Sequence, residues 1–394
     1  MTRIRISMMI LYLCFATLAS GQEPADTAVN NWSEFTRINM QRWNPYEKTL
    51  SVHNVPNLKM EWSYTPGGPV FSSPAVVNNV VYAGSYDGNM YAWNATTGAE
   101  LWSFFTAAGS WIFSSPAVAN GVVYFSSVYP GVPGVIYAVN TSTGTLLWSY
   151  PTFNGSYATP TVANGVVYCG DWGGRLYALN ATSGAELWIY DTGTQIWGAP
   201  AVVDGVVYLG SENNSVYALN ATTGAEIWSF ATGSYIVSSP AVAHGVVYIG
   251  SEDDTFYALN AATGKLLWSY TTGGEVESSA AVAGGVVYVG SMDGYVYAFK
   301  ASTGALLWKY LTIGNVYSSP AVANGVVYIA TQSTSNSSDN SLYALNAGTG
   351  ALLWSYAISG TTGAASPAVA NGMVYFGIGD LDTFTGSVHA FGLK

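Results

Sequence analysis

The sequence predicts an all-β chain folded as an eight-bladed β-propeller, each blade a four-stranded antiparallel sheet. Three observations lead there. First, "SSPAV"-like segments recur with anchors at Pro74, Pro116, Pro160, Pro200, Pro240, Ala280, Pro320 and Pro367, a period near 40 residues. A repeat of this length, in a chain without a helical period, indicates stacked supersecondary units. Second, each unit carries short runs rich in Val, Tyr, Ile and Trp, divided by pairs such as Asn-Gly, Asp-Gly and Thr-Gly. Such runs suit half-buried pleated surfaces, and Asn-Gly or Asp-Gly supplies the positive φ that a two-residue hairpin needs. Third, the phrase "NATTGAELW" at 94–102 returns with small changes at 140, 180, 220, 260, 300 and 346. Seven copies carry the glycine, yet eight tryptophans occupy equivalent places: Trp62, Trp102, Trp148, Trp188, Trp228, Trp268, Trp308 and Trp354.

The elements follow in order. Residues 1–21 read as a secretory signal, with Arg3 and Arg5, the apolar stretch "ISMMILYLCFATLA", and "ASG" before Gln22. Residues 22–57 are a lead-in, and 58–394 are the propeller. "KMEWSY", with Trp62, comes before the first anchor and has no unit of its own. The last unit, "SPAVANGMVYFGI…SVHAFGLK", stops after its third strand. The N-terminal strand therefore completes the eighth blade, and the closed ring has no open edge. In each unit "SSPAVA" is the first strand, "VVYIGS" the second, "YVYAL" the third and "LLWSY" the fourth. The first turn falls at pairs such as Asn120-Gly121, Asp204-Gly205 and His244-Gly245, which makes His244 a turn residue. In the nine-residue phrase the glycine turns the chain from third to fourth strand. The tryptophan packs between blades, its N–H seeking a partner, while Asn and Thr bond the turn backbone. The phrase is a structural docking device rather than seven active sites.

Bulk properties narrow the function. The chain has 11 Lys+Arg against 22 Asp+Glu, and only 8% of its residues are charged. That balance argues against nucleic acid and anionic membrane surfaces as partners. After residue 21 no apolar run approaches the ~20 residues a membrane helix needs. With the signal removed, Cys169 is the one cysteine left. Its slot in other units holds Ala83, Phe125, Leu209, Ile249, Val289, Ile329 and Phe376, so it reads as a core side chain. The protein is expected to be exported, to a bacterial periplasm or outside the cell.

"ALNATTGAEIW" at 218–228 resembles the tryptophan-docking motif of the pyrroloquinoline quinone (PQQ) type propeller repeat: Ala, any, Asp or Asn, two of any, Thr-Gly, three of any, Trp. Seven units fit, with departures such as Lys300 and Gly348. The stretch from Trp32 through "KMEWSY" resembles the lead-in of quinoprotein alcohol dehydrogenases, so the likeness covers about residues 32–394. The resemblance implies a propeller and two kinds of relative. One is the dehydrogenases, with PQQ and usually Ca2+ in the axial funnel. The other is non-catalytic propellers such as the lipoprotein of the bacterial β-barrel assembly machinery.

Candidate functional positions come from differences between units. The "NG" and "NATTG" turns share one face. The hairpin after "VVYIGS" and the link between units share the other, where the insertions at 127–135, 331–341 and 377–387 also fall. Three residues before the anchors stand Phe71, Phe113, Tyr157, Trp197, Val237, Glu277, Tyr317 and Ala364; two residues earlier come Trp111, Tyr235 and Glu275. These residues should ring the funnel mouth, as a ligand site with an aromatic wall and an acidic corner or as a plug of the channel.

A quinoprotein dehydrogenase would add cation ligands, a base carboxylate and a cationic partner for the quinone. The family's vicinal cysteine pair and its "GTGN" and "DxWD" segments are absent. Arg175, in "DWGGRLY", reads as a surface hairpin residue. "SEDDTF" at 251–256 sits at an ordinary hairpin, while Asp380 and Asp382 lie in an insertion. The dispersed His53, His244 and His389 suggest no zinc site. The expectation is a non-catalytic binding or scaffold module for an envelope protein or a saccharide, with no catalytic residue, metal or cofactor. The alternative is a PQQ-dependent dehydrogenase acting on alcohols or sugars with Ca2+.

Overall fold

The computed structural model of the chain describes residues 31–35, 41–129, 132–312, 314–332, 340–358 and 362–393. The expected signal at 1–21 lies outside them, as does most of the insertion at 331–341. Eight sheets follow one another along the chain; in the first seven the four antiparallel strands stand in sequential order, and Trp43–Asn44 adds a short parallel strand to the seventh. We letter the strands a to d. In blade 4 they are Ala201–Val203, Val206–Ser211, Ser215–Asn220 and Glu226–Ala231. Each strand a lies against the strands a of the blades before and after it, and the first meets the last, so the inner strands close a ring. Among the described residues no helix is long and apolar enough to cross a membrane.

The turns form where the residues permit. Asn120, Asn164, Asp204, His244, Asn324 and Asn371 have φ between 43° and 55°, each followed by a glycine at positive φ. His244 is an exposed turn residue. Strand a is shorter than its sequence suggests. It spans three residues, Ala75–Val77 in blade 1, because the residue before the anchor, Ser73 there, turns its N–H toward the neighbouring blade instead of into a sheet.

The two ends of the chain close the ring. Lys59–Tyr64 pairs antiparallel with Thr385–Gly392 and becomes strand d of blade 8, with Trp62 opposite Ala390. An alanine also faces the tryptophan across the other seven c–d pairs, as in Ala218 opposite Trp228.

The nine-residue phrase clamps each blade to the next. Trp188 of blade 3 donates its indole N–H to the carbonyl of Ala221 in blade 4, at 3.0 Å. The same bond runs from Trp62 to Ala95, Trp102 to Thr141, Trp148 to Ala181, Trp228 to Ala261, Trp268 to Ala301 and Trp308 to Ala347. The ring lies flat on the motif glycine. A Cβ at Gly224 would stand 2.7 Å from Trp188, and Gly224 has φ +72°, so both space and backbone demand glycine. Trp354 departs from the docking role its position suggests. The chain termini replace the turn it would need, and it packs edge-on against Phe391 at 5.3 Å instead. Tyr328, also in blade 7, loses its acceptor for the same reason. Tyr168, Tyr208 and Tyr248 donate to the docking carbonyls of the next blade, whereas the buried Tyr328 hydroxyl has no partner.

The lead-in fills the centre of the ring. Trp32 exchanges two 2.6 Å hydrogen bonds with Val76 of blade 1. Ser33 accepts from Val118 of blade 2, and the Glu34 carboxylate from Val162 of blade 3. After residues 36–40, Gln41 reaches Val242 and Val282 in blades 5 and 6. Arg42 accepts from Val322 of blade 7, and Asn44 donates to Val369 of blade 8. The segment thus bonds the central residue of strand a in seven blades. Arg42 is buried, and burial lowers its pKa to about 9. Its guanidinium is held by the carbonyls of Phe35, Ser319, Pro320 and Pro367, and it lies over the Phe35 ring at 4.4 Å.

Candidate functional site

A cavity of about 510 Å³ opens on the face that carries the a-preceding links and the b–c hairpins. Phe35 of the lead-in forms part of its lining, and the inner ring forms its wall. The wall is held from behind. One residue before six of the eight inner-ring positions an aliphatic side chain is fully buried: Val70, Ile112, Ile196, Ile236, Val276 and Val316. It packs onto the strand-b glycine of the preceding blade, as Ile112 does on Gly84 and Ile236 on Gly210. With that residue fixed, the next one faces the axis.

Lower in the wall the residue before each anchor forms a belt of hydroxyls. The backbone N–H of Ser73 donates to Ser115 Oγ, Ser115 to Thr159, Ala199 to Ser239, Ser239 to Ser279, Ser279 to Ser319, Ser319 to Ser366, and Ser366 back to Ser73, all at 2.8–3.0 Å. The belt is interrupted once, between Thr159 and Ala199, because Ala199 has no hydroxyl. These bonds tie the blades together around the axis where no sheet ladder can.

The cavity has two unlike sides. From blades 1 to 4 comes a continuous aromatic cluster. Phe71 stacks on Phe113 at 5.9 Å, Phe113 meets Tyr157 edge-on at 5.1 Å, and Tyr157 stacks on Trp197 at 5.5 Å. Tyr86 supports Phe71 at 5.0 Å, and Trp172 supports Tyr157 at 4.2 Å. From blades 4 to 6 come the carboxylates Glu212, Glu252 and Glu277. Trp197 joins the two sides by donating its indole N–H to Glu212 at 2.6 Å. Burial, then Glu252 and Glu275, push the Glu277 pKa up to about 7. Glu252 is raised by burial and by Glu275 and Glu212. Tyr317, on the acidic side, is raised by burial and by Glu277 and Glu275.

Six of the nine residues expected at the mouth line this cavity: Phe71, Phe113, Tyr157, Trp197, Glu277 and Tyr317. Trp111, Tyr235 and Glu275 do not. Their backbone pairs with a neighbouring hairpin, as Tyr235 does with Glu252, and the chain then turns inward below them. Trp111 stacks on Tyr86 at 5.1 Å, while Tyr235 is exposed. A second set was missed, residues twelve beyond an anchor: of these Tyr86, Glu212, Glu252 and Gln332 line the cavity, and Trp172 backs Tyr157. The signal was present, since this hairpin slot varies between units as much as the first ring does.

Other candidates resolve into structure. Asp253 accepts from Gly233 N–H, Thr255 N–H and Tyr257 hydroxyl, which makes it a hairpin brace. Arg175 lies over Phe153 at 3.8 Å and 3.9 Å from Asp191 on the surface. Cys169 is buried, and burial pushes its thiol up to about 12. No group of three or more His, Cys, Asp or Glu among the described residues is arranged to hold a metal ion.

Does the cavity fit PQQ? The quinone is a polycarboxylate and asks for cationic partners. Among the described residues the lining has no Lys, Arg or His, and its charged groups are all glutamates. Arg42 is committed to four backbone carbonyls. The donor set of the described residues does not fit a polyanion.

Comparison with known proteins completes the picture. A stretch of 104 residues is 30% identical to lupanine 17-hydroxylase [cytochrome c] of Pseudomonas sp., covering 25% of this chain and 15% of that protein. The chain thus matches only a small part of that relative's length. The fold resembles a europium-containing methanol dehydrogenase, with a TM-score of 0.77 and 16% identity over 92% of this chain and 98% of the other. It also resembles BamB of Moraxella catarrhalis, with a TM-score of 0.68 and 21% identity over 86% of this chain and 98% of the other. The family model described as outer membrane protein assembly factor BamB matches residues 48–125, 106–196, 172–279 and 271–390. The chain belongs to that family of PQQ-type propellers.

Proposed function

We propose that this propeller is an exported, non-catalytic binding module that holds an envelope protein or a saccharide at the cavity on its hairpin-bearing face. One observation carries the reading. The axial channel is occupied by the chain's own lead-in, and above it stands a preformed cup of about 510 Å³ with an aromatic wall. That volume is in the range of ligand sites, and stacked aromatic side chains suit both sugar faces and protein anchors. The clustered rings are braced from behind, so little ordering cost attends binding. The glutamate lining supports this reading over a quinone enzyme, because a polyanion would meet uncompensated negative charge.

The test is calorimetric titration of the purified protein with PQQ, with and without Ca2+, beside a panel of envelope glycans and peptides. The expected result is no saturable quinone binding and a ligand whose affinity falls when Phe113, Tyr157 and Trp197 are replaced together by alanine. Saturable, calcium-dependent PQQ binding would overturn the proposal.

A further inference from the structure

Resting on the binding-module reading, we propose that the cup recognises an organic cation: an ammonium or guanidinium group, carried by a small molecule or by a lysine or arginine side chain of a partner protein. Three features converge on that chemistry. The first is the cavity itself, about 510 Å³, whose lining includes Phe35 and the ring residues. The second is the wall of Phe71, Phe113, Tyr157 and Trp197, whose faces attract cations through the ring quadrupole, more strongly where water is excluded. The third is the arc of Glu212, Glu252 and Glu277 on the opposite side, with Glu275 close behind.

Among the described residues no cation compensates these carboxylates. The ion pair found among the described residues, Arg175–Asp191, lies elsewhere. No hydrogen-bond donor among the described residues reaches the side chain of Glu252 or Glu277, and Glu212 receives one, from Trp197. A partly buried carboxylate without a partner is costly, and a bound cation removes that cost. The two walls are linked by the Trp197–Glu212 bond, so a cation seated on the Trp197 face is also next to negative charge. The arrangement also selects against competitors. An anion is repelled, and a neutral isostere gains the apolar contact without the charge.

Calorimetry and tryptophan fluorescence on the purified protein test this with choline and agmatine against neutral counterparts, dimethylbutanol for choline and an uncharged amide for agmatine. A short peptide containing arginine, compared with its citrulline form, separates the two sources. The cations should bind saturably and about tenfold tighter than the neutral isosteres, a preference of about 1.4 kcal/mol. The preference should fall with added salt and vanish in the Glu252→Gln/Glu277→Gln double variant. These isosteric changes remove charge without volume, and an unshifted or raised unfolding temperature verifies the fold. Peptide binding that choline competes away identifies a partner side chain; binding of the free cations alone identifies a small molecule. Equal affinity for cations and neutral isosteres, no binding of any cation, or a preference that survives in the double variant overturns the inference. Should neutral saccharides bind the cup while cations do not, this inference fails and the binding-module reading stands. Calcium-dependent PQQ binding would remove both.

Discussion

Replacing Gly224 by alanine tests the blade-to-blade clamp, and the same change at Gly205, in the same blade, is its control. Both glycines are left-handed, at φ +72° and +77°. An L-residue there costs about 1 kcal/mol, and the unfolded-state effect of losing a glycine is common to both. The sites differ in what the new methyl meets. At Gly205 there is nothing within 4 Å; at Gly224 the Cβ stands 2.7 Å from Trp188. The indole must retreat, which costs about 1–3 kcal/mol in forced repacking. It also loses its 3.0 Å bond to the Ala221 carbonyl, about 1 kcal/mol more. Gly205→Ala should therefore destabilise by about 1 kcal/mol and Gly224→Ala by about 3–5 kcal/mol. Urea unfolding followed by both circular dichroism and tryptophan fluorescence reads the difference as a shift in midpoint at constant slope. If the two variants unfold within about 0.5 kcal/mol of each other, the indole is not clamped by contact and the reasoning fails.

Other outcomes follow from the same geometry. Ala199→Ser supplies the missing hydroxyl beside Thr159 N–H and should raise stability by about 1 kcal/mol, seen in the same unfolding assay. Arg42→Met strips the donors from the carbonyls of Ser319, Pro320 and Pro367 and should destabilise by about 3 kcal/mol or more, whereas an unchanged midpoint would mean water replaces the guanidinium freely. Glu277 has a folded pKa near 7 against an ordinary 4.5, so the native state binds the proton more tightly than the unfolded chain does. Stability should be highest below pH 4.5 from this group and fall by up to about 3 kcal/mol as pH rises to 7. Glu212, Glu252, Glu275 and Tyr317 share the field, and Glu277→Gln should flatten the slope of unfolding temperature against pH in that window.

The period, the hairpin turns and the closing strand were legible because each repeats a local rule: positive φ at Asn-Gly, alternation in short strands, a glycine under each docked indole. Trp354 was misplaced by that same regularity, since its docking turn would have to span two chain ends. The inner ring was legible from Phe71 to Tyr317 because those residues depart from a fixed frame. Glu212 and Glu252 follow the same logic but stand in hairpins where polar residues are ordinary, and so did not declare themselves. The lead-in was opaque. Trp32, Gln41 and Arg42 have no repeat to be compared with, and each contact spans tens to hundreds of residues. The short strand a has a similar cause, because the partners of the Ser73 and Ser279 N–H groups lie a whole unit away.

A ring of near-identical units with a 40-residue period looks free to gain or lose members by recombination. The lead-in removes that freedom. Its residues contact blades 1, 2, 3, 5, 6, 7 and 8 in order, each through specific hydrogen bonds. A ninth blade would widen the bore around a core of fixed girth, and a seventh-blade deletion would leave no room for it. The segment acts as a mandrel that gauges the diameter, so the number of blades is written in residues 31–35 and 41–44 as firmly as in the repeats themselves.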